Sequence, residues 1–312
     1  MTASSISLVV LTGPTGIGKT STAIDLARRF DMEIVGADSI QVYRCMDIGS
    51  AKPTAEERAS VRHHLIDVAD PDEDFDAARY RELAGRAIVS IHERGKRVLL
   101  AGGTGLYIKA LLKGLFKAPP VSEDIRSRIK EAAARDGSEE LHRRLNEVDP
   151  EAAARIHPND AYRITRALEV YEQTGKPISF FQKEHRFSSG PYRSIMVGLT
   201  VNRAILYERI NRRVDMMMDQ GLVDEVKKLL SMGYGLHLNS MQSIGYRHIG
   251  DYLEDRVTLD ETVEQLKQDT RNFSKRQYTW FRAQPELEWF QPDRMEPIYD
   301  RVADFFAGNG DE

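Results

Sequence analysis

Gly13-Pro14-Thr15-Gly16-Ile17-Gly18-Lys19-Thr20 fits the pattern G-x-x-x-x-G-K-[ST] in full. The glycines let the backbone curl with its N–H groups turned inward. Lys19 adds a full positive charge, and the Thr20 hydroxyl can reach a magnesium ion. Such a loop holds a diphosphate or a triphosphate without choosing between them. The second residue able to do chemistry is Asp38, which follows Glu33-Ile34-Val35-Gly36-Ala37 and precedes Ser39, Gln41 and Tyr43. A carboxylate there can hold magnesium, act as a base, or simply cap the next turn. The apolar run at 98–101 ends instead in Gly102-Gly103-Thr104-Gly105. Asp38 is therefore the lone carboxylate at these strand ends, which suits an enzyme needing one proton acceptor better than an ATPase.

These residues need a scaffold, and the hydrophobic pattern supplies one. The apolar run at 6–11 predicts a strand leading into the loop, and an amphipathic helix follows over 21–30. A strand at 32–37, a helix over 76–94 stopped by Gly95, and a strand at 98–101 continue the alternation. Strands that read as unbroken apolar runs between helices predict an α/β fold, a P-loop NTPase-like parallel sheet core. Ligands bind beyond the carboxyl ends of such strands. Segments 13–20, 38–43 and 102–107 are therefore expected to line one crevice.

The texture changes after Lys117-Ala118-Pro119-Pro120. From 122 to about 186 the chain reads as helices only. Ser122 caps one, with Glu123 and Asp124 in its first turn. Asp149-Pro150 opens another, and Asn159 or Asp160 opens a third that stops at Gly175. Residues 1–118 thus read as the first part of the core, 119–190 as a helical insertion domain, and 191–312 as core completion with C-terminal helices. A strand is expected at 195–201, helices over 203–232 and 260–282, and a frayed tail at 308–312.

Composition narrows the function class. The 312 residues carry a formal net charge of −4, with 41% hydrophobic and 29% charged side chains. No apolar run approaches the roughly 20 residues needed to cross a membrane. The N-terminus lacks a basic n-region, so no signal peptide is expected. The single cysteine, Cys45, leaves no partner for a disulfide or a multi-cysteine zinc site, and the reducing cytoplasm is the expected location. No chemistry is assigned to Cys45. A negative total argues against a bulk nucleic-acid binder, yet local charge decides RNA binding. The helix over 260–282 carries Lys267, Arg271, Lys275, Arg276 and Arg282, interleaved with Phe273, Tyr278, Trp280 and Phe281. The aromatics are expected in the core and the cations as a basic stripe. Arg163 and Arg166 share a helix face, where Arg166 can pair with Glu169. His63 and His64 point opposite ways on a strand and are expected to be structural rather than metal-binding.

Taken together, "GPTGIGKT", "ADSIQVYRCMDIGSAKP", "HHLIDV", "AGGTGLYIKALLKGL", "RIHPNDAYRITRALEVY", "SIGYRHI" and "TRNFSKRQYTWFR" occur in the order seen in the tRNA dimethylallyltransferases, the bacterial tRNA isopentenyltransferases. The sequence resembles that family from about Leu8 to Phe290. The resemblance implies that the loop holds the diphosphate of dimethylallyl diphosphate rather than ATP. It also implies transfer of the dimethylallyl group to N6 of the adenine at tRNA position 37, next to the anticodon, with diphosphate released.

By the same resemblance Asp38 is the catalytic base, and Thr20 and Arg213 serve the diphosphate with Mg2+ near Thr20. Read without the family, Arg213 would pass for an exposed helix arginine. Contacts to the tRNA anticodon stem-loop are implied for Asp38, Ser39, Ile40, Gln41, Thr104 and Arg126. They are implied too for Tyr162, Arg163, Ile164, Thr165 and Arg166, and for Gln242, Ser243, Ile244, Gly245, Tyr246 and Arg247. Gln41 offers an amide suited to a base edge, and Tyr246 and Arg247 offer stacking and phosphate contacts. The family's eukaryotic members add a zinc-finger extension not found in this sequence, so RNA binding is expected from these elements, in a monomer. A small-molecule kinase on the same scaffold and a non-catalytic, nucleotide-gated RNA-binding protein are the competing classes. The sister adenylate isopentenyltransferases act on free nucleotides, which the helical insertion and its arginines disfavour.

Overall fold

The computed structural model describes residues 6–115, 121–185 and 190–308. The Lys117–Pro120 boundary and the residues from 309 onward lie outside these. The chain divides into two units, one made of Met1–Leu112 with Pro191–Glu312 and the other of Lys113–Gly190.

In chain order the first unit opens with β1 (Ile6–Thr12), α1 (Lys19–Arg29), β2 (Met32–Ala37), α2 (Ala55–Ser60), β3 (His63–His64), α3 (Ala77–Glu93), β4 (Arg97–Gly102) and α4 (Gly105–Lys113). The second unit holds α5 (Glu123–Val148), α6 (Pro150–Arg155), α7 (Ala161–Thr174) and α8 (Ile178–His185). The first unit resumes with β5 (Tyr192–Leu199), α9 (Arg203–Asp219), α10 (Leu222–Ser231), α11 (Tyr246–Leu253), α12 (Leu259–Arg282), β6 (Leu287–Phe290) and α13 (Met295–Ala307).

All six strands run parallel in the order β3-β2-β4-β1-β5-β6. β1 is central, with Leu8 opposite Val98 on one side and Ser194 on the other. Its side chains divide between two cores. Val9 and Leu11 pack with α1, α9 and α13, whereas Leu8 and Val10 pack with α3 and α4. Both faces are apolar because helices cover both, and each buried aliphatic side chain contributes roughly 1.5–3 kcal/mol. A third cluster joins the 40–69 segment to α9, α10, α11 and α12. No helix among the described residues is long and apolar enough to cross a membrane.

Within the second unit the described elements are all helical, around a core that includes Ile129, Leu141, Leu145, Ile164 and Leu168. Ser122, Asp149 and Asp160 cap α5, α6 and α7 through backbone amides, as their types predict. α5 is bent at Gly137, which has non-helical torsions.

Several boundaries differ from expectation. The run over 203–232 is two helices, because Gln220 and Gly221 interrupt it between α9 and α10. The expected strand at 195–201 starts earlier, at Tyr192, and ends at Leu199. α1 starts at Lys19 rather than 21, inside the phosphate loop. The four-residue β6 at the sheet edge was not expected. His63 and His64 are structural, as expected: His64 Nε2 lies 2.6 Å from Glu33, and His63 Nδ1 lies 2.8 Å from the Val61 carbonyl.

Candidate active site

The three segments expected to share a crevice are tied together at the carboxyl ends of the strands, the 13–20 loop through the side chain of Gln277 on α12. The Thr104 amide donates to the Ala37 carbonyl at 3.0 Å, which fastens the β4–α4 turn to the end of β2. The Ser39 amide donates to Thr104 Oγ1 at 3.0 Å. The Thr15 amide of the loop donates to Gln277 Oε1 at 2.8 Å, and Gln277 Nε2 donates to the Gly103 carbonyl at 3.0 Å.

The loop between β1 and α1 is built for an anion. Gly18, at φ 105°, is the N-cap of α1 and offers no capping side chain. The first amides of α1 are thus left for a ligand, at the positive end of the helix dipole. By contrast Asp76 spends its carboxylate on the first amides of α3. Lys19 Nζ donates to the Gly13 and Pro14 carbonyls at 3.0 and 2.9 Å, closing the loop on itself. Burial pulls the Lys19 ammonium down to about 8, an effect opposed by the Asp38 carboxylate and reinforced by the Arg213 guanidinium.

Arg213 is no exposed helix arginine. α9 carries it into the site, where burial lowers its pKa from the ordinary guanidinium value and Asp38 opposes the shift. It remains a cation at neutral pH, as arginines do. α9 also reaches the loop through Arg209, whose Nη1 donates to the Ile17 carbonyl at 3.3 Å.

Asp38 serves the fold and leaves an oxygen for chemistry. Its Oδ1 accepts from the Ile40 and Gln41 amides at 2.9 and 3.3 Å. Those bonds orient the carboxylate, and Oδ2 accepts no hydrogen bond among the described residues. The loop behind it is braced from two sides. Lys52 Nζ donates to the Tyr43 carbonyl, Asp47 and Asp67 at 2.6, 2.7 and 2.6 Å. The Glu225 carboxylate accepts from the amides of Asp47, Ile48 and Gly49 at 2.9, 2.7 and 3.1 Å.

No cluster of three or more His, Cys, Asp or Glu that could hold a metal occurs among the described residues. The Thr20 hydroxyl makes no hydrogen bond among them. One or two protein oxygens with phosphate oxygens and water suit Mg2+, which seldom uses an all-protein cage. Thr20 fits that donor set.

Gln277 is the functional candidate that sequence reasoning missed. It is only 7% exposed, on the inward stripe of α12 with Leu266, Ser274 and Phe281. A polar amide at that spacing was the available signal. Other expectations for α12 need correcting. Lys267 is engaged by Asp215 and Glu264 at 2.8 and 3.2 Å, and Arg271 by Asn211 at 2.6 Å. The exposed part of the basic stripe is Lys275, Arg276 and Arg282. Of the aromatics, Phe281 is fully buried and the others are half-buried, and Tyr278 Oη lies 3.2 Å from Thr200 Oγ1.

Several residues expected at RNA are already committed within the fold. Tyr246 is fully buried and donates to Glu225 Oε1 at 2.7 Å, so its ring has no face for a base. Gly245 is buried at the start of α11, Ile244 packs in the third core, and the Ser243 hydroxyl donates to the Ser240 carbonyl at 2.6 Å. Arg247 is ion-paired with Asp269, and Gln242 Nε2 donates to the Leu236 carbonyl at 2.5 Å. Gln41 spends its amide on the Ser50 and Ala51 carbonyls at 3.2 Å each, so the base-edge donor expected there is occupied.

Within the second unit, Ile164 is fully buried in the core and Thr165 Oγ1 donates to the Tyr162 carbonyl at 3.0 Å. Tyr162 itself is 80% exposed. Arg126, Arg163 and Arg166 make loose pairs with Glu123, Asp160 and Glu169 at 3.3, 3.5 and 3.3 Å. Tyr162, Arg163 and Arg126 are exposed, and Arg166 is half-buried.

The chain is similar to known proteins over nearly its whole length. A tRNA dimethylallyltransferase of Syntrophobacter fumaroxidans is 52% identical over 295 residues, covering 95% of this chain and 86% of that protein. One from Geobacter metallireducens is 52% identical over 300 residues, covering 96% and 97%. The crystal structure of a tRNA isopentenylpyrophosphate transferase from Bacillus halodurans superposes with a TM-score of 0.72 at 43% identity, covering 97% of this chain and 96% of that one. A eukaryotic dimethylallyltransferase acting on tRNA superposes at 0.81 with 26% identity, covering 97% and 80%. The IPP transferase family model matches residues 41–284, and with relatives this similar over nearly the whole length, the chain belongs to the IPP transferase family.

Proposed function

We propose that the chain is a tRNA dimethylallyltransferase. It moves the dimethylallyl group of dimethylallyl diphosphate to N6 of the adenine at tRNA position 37 and releases diphosphate. The observation that carries this is one carboxylate, Asp38, interacting with two half-buried cations, Lys19 and Arg213, at an uncapped helix N-terminus.

The bond from C1 of the allylic group to diphosphate oxygen breaks, and its electron pair stays with the diphosphate. Lys19, Arg213 and the amides at the start of α1 are fixed before reaction and meet that charge as it grows. The N6 lone pair forms the new bond to C1. N6 is a weak nucleophile because its lone pair is delocalised, so removal of its proton assists. Asp38 Oδ2 is the oxygen free to accept that proton, while Oδ1 stays bonded to the Ile40 and Gln41 amides. Thr20 would hold Mg2+ together with diphosphate oxygens, and a metal there would supply further neutralisation of the leaving group.

The adenine must leave the anticodon stack, which costs a few kcal/mol. Binding energy from Tyr162, Arg163, Arg166 and Arg126, with Thr104 and Ser39 near the target nucleotide, offsets that cost. The acceptor is the anticodon stem-loop of a tRNA, and a cytoplasmic monomer is the working form.

The test is mass spectrometry of nucleosides from unmodified tRNA incubated with the protein, magnesium and dimethylallyl diphosphate, without ATP. N6-dimethylallyl adenosine, absent with Asp38→Ala, is the expected product. Absence of product with folded protein and several tRNAs would overturn the proposal. Product from free AMP or ADP instead would reassign the acceptor.

A further inference from the structure

We infer that Gln277 is a positioning residue that sets the diphosphate loop and the Thr104 turn in register with each other. The inference rests on the transfer reaction proposed above. Gln277 enters from α12, far from both segments in sequence, and uses each end of its amide on a different one. Oε1 accepts from the Thr15 amide at 2.8 Å, and Nε2 donates to the Gly103 carbonyl at 3.0 Å.

The approach is close. A Cβ added to Gly103 would lie 2.4 Å from Gln277 Nε2, so glycine is needed there for the amide to arrive. The neighbouring Trp280 closes the other flank, since a Cβ on Gly105 would lie 2.4 Å from its ring. The two segments therefore rest on one helical turn of α12. In the loop, Thr15 follows the Gly13 and Pro14 carbonyls that hold Lys19. In the turn, Gly103 precedes Thr104, which receives the Ser39 amide beside Asp38. A shift at Gln277 thus moves the leaving-group side relative to the base side of the same reaction.

The amide is buried, and both backbone groups would lose their partner if it were replaced by a side chain without hydrogen-bonding atoms. An alignment effect of this kind differs from loss of fold. It changes turnover in the folded, substrate-saturated enzyme, because misplaced reacting groups cost rate out of proportion to their displacement.

Three variants test this. Gln277→Met keeps length and removes both bonds. Gln277→Glu keeps the acceptor for the Thr15 amide and can donate to the Gly103 carbonyl only when protonated. Asn272→Ala, at an exposed position of the same helix, serves as a control. Thermal unfolding and active-site titration give the folded fraction, and kcat and the KM values for dimethylallyl diphosphate and for tRNA are measured per folded site.

Gln277→Met is expected to lower kcat per folded site at least about tenfold, the scale of leaving buried hydrogen-bonding groups unpaired. KM for tRNA should stay near wild type. Gln277→Glu should recover relative to wild type as pH falls from 8 to about 6, as its carboxyl gains the missing donor proton. Wild-type kcat in Gln277→Met, or a loss fully accounted for by unfolded protein, would overturn the inference. So would a Gln277→Glu deficit that does not change with pH. Absence of product from the wild-type protein would instead overturn the transfer reaction itself.

Discussion

The Asp38 carboxylate supports the charge on Lys19 against the pull of burial. Burial draws the ammonium down to about 8, and the Asp38 carboxylate limits that fall, whereas Arg213 deepens it. The charged form of Lys19 is the one that binds diphosphate. Affinity for dimethylallyl diphosphate in the free enzyme should therefore be full well below pH 8 and decline as pH rises through about 8. Asp38→Asn removes the carboxylate's support and should move that decline to lower pH. Arg213→Gln removes a like charge and should move it to higher pH, although overall affinity weakens. Direct titration of binding against pH checks both signs, and movement in the same direction for both variants would refute the assignment.

Asp38 has two jobs that two substitutions separate. Asn retains an oxygen for the Ile40 and Gln41 amides but cannot act as a base. Ala loses both functions. Asp38→Asn is expected to unfold at the wild-type temperature while kcat falls about 10²–10⁴-fold, the usual weight of a general base. Asp38→Ala should show the same kinetic loss plus about 1 kcal/mol of stability, the typical worth of a side-chain cap. Equal unfolding midpoints for the two variants would show that the Oδ1 bonds do not contribute.

What was legible in the sequence was local. The phosphate loop declares itself because its glycines, lysine and threonine act within eight consecutive positions, between a strand and a helix that carry their own periodicity. Asp38 was legible because strand ends in a parallel sheet face the ligand. Arg213 and Gln277 were not, because their burial is created by segments distant in sequence. The break between α9 and α10 was masked by an apolar period that continues across Gly221. β6 spans only four residues, with Leu287 buried and Glu288 exposed, too short to stand out. Tyr246 looked available because nothing near it in sequence shows that Glu225 and Gly49 enclose it.

That enclosure makes a prediction about Tyr246. Its hydroxyl donates to Glu225, whose carboxylate also gathers the Asp47, Ile48 and Gly49 amides. Tyr246→Phe should cost about 1 kcal/mol of stability, the net worth of one hydrogen bond. Gly49→Ala should cost about 1–3 kcal/mol through overpacking, because its Cβ would lie 2.6 Å from the Tyr246 ring. Denaturant unfolding measures both. At temperatures where both variants are folded, binding to an anticodon stem-loop should match wild type. A selective loss of RNA affinity in Tyr246→Phe would return that residue to the interface.

The exposed face of α7 should carry RNA binding through two distinct forces. Tyr162 presents an uncovered ring, and Arg163 beside it pairs only loosely, with Asp160 at 3.5 Å. A cation that meets phosphate releases counterions, so Arg163→Ala should weaken stem-loop binding and reduce the magnitude of the salt slope of log K by about 1. A stacked ring leaves the slope alone. Tyr162→Ala should cost about 1–3 kcal/mol at every salt concentration with an unchanged slope. Fluorescence titrations across a range of salt concentrations separate the two. Buried Ile164 supplies the contrast: Ile164→Ala should lower the stability of its unit by about 2–5 kcal/mol, with RNA affinity falling only as far as that unit unfolds. If Arg163→Ala left both affinity and slope untouched, α7 would be a solvated surface, and the phosphate contacts would have to be sought at Lys275, Arg276 and Arg282 on α12.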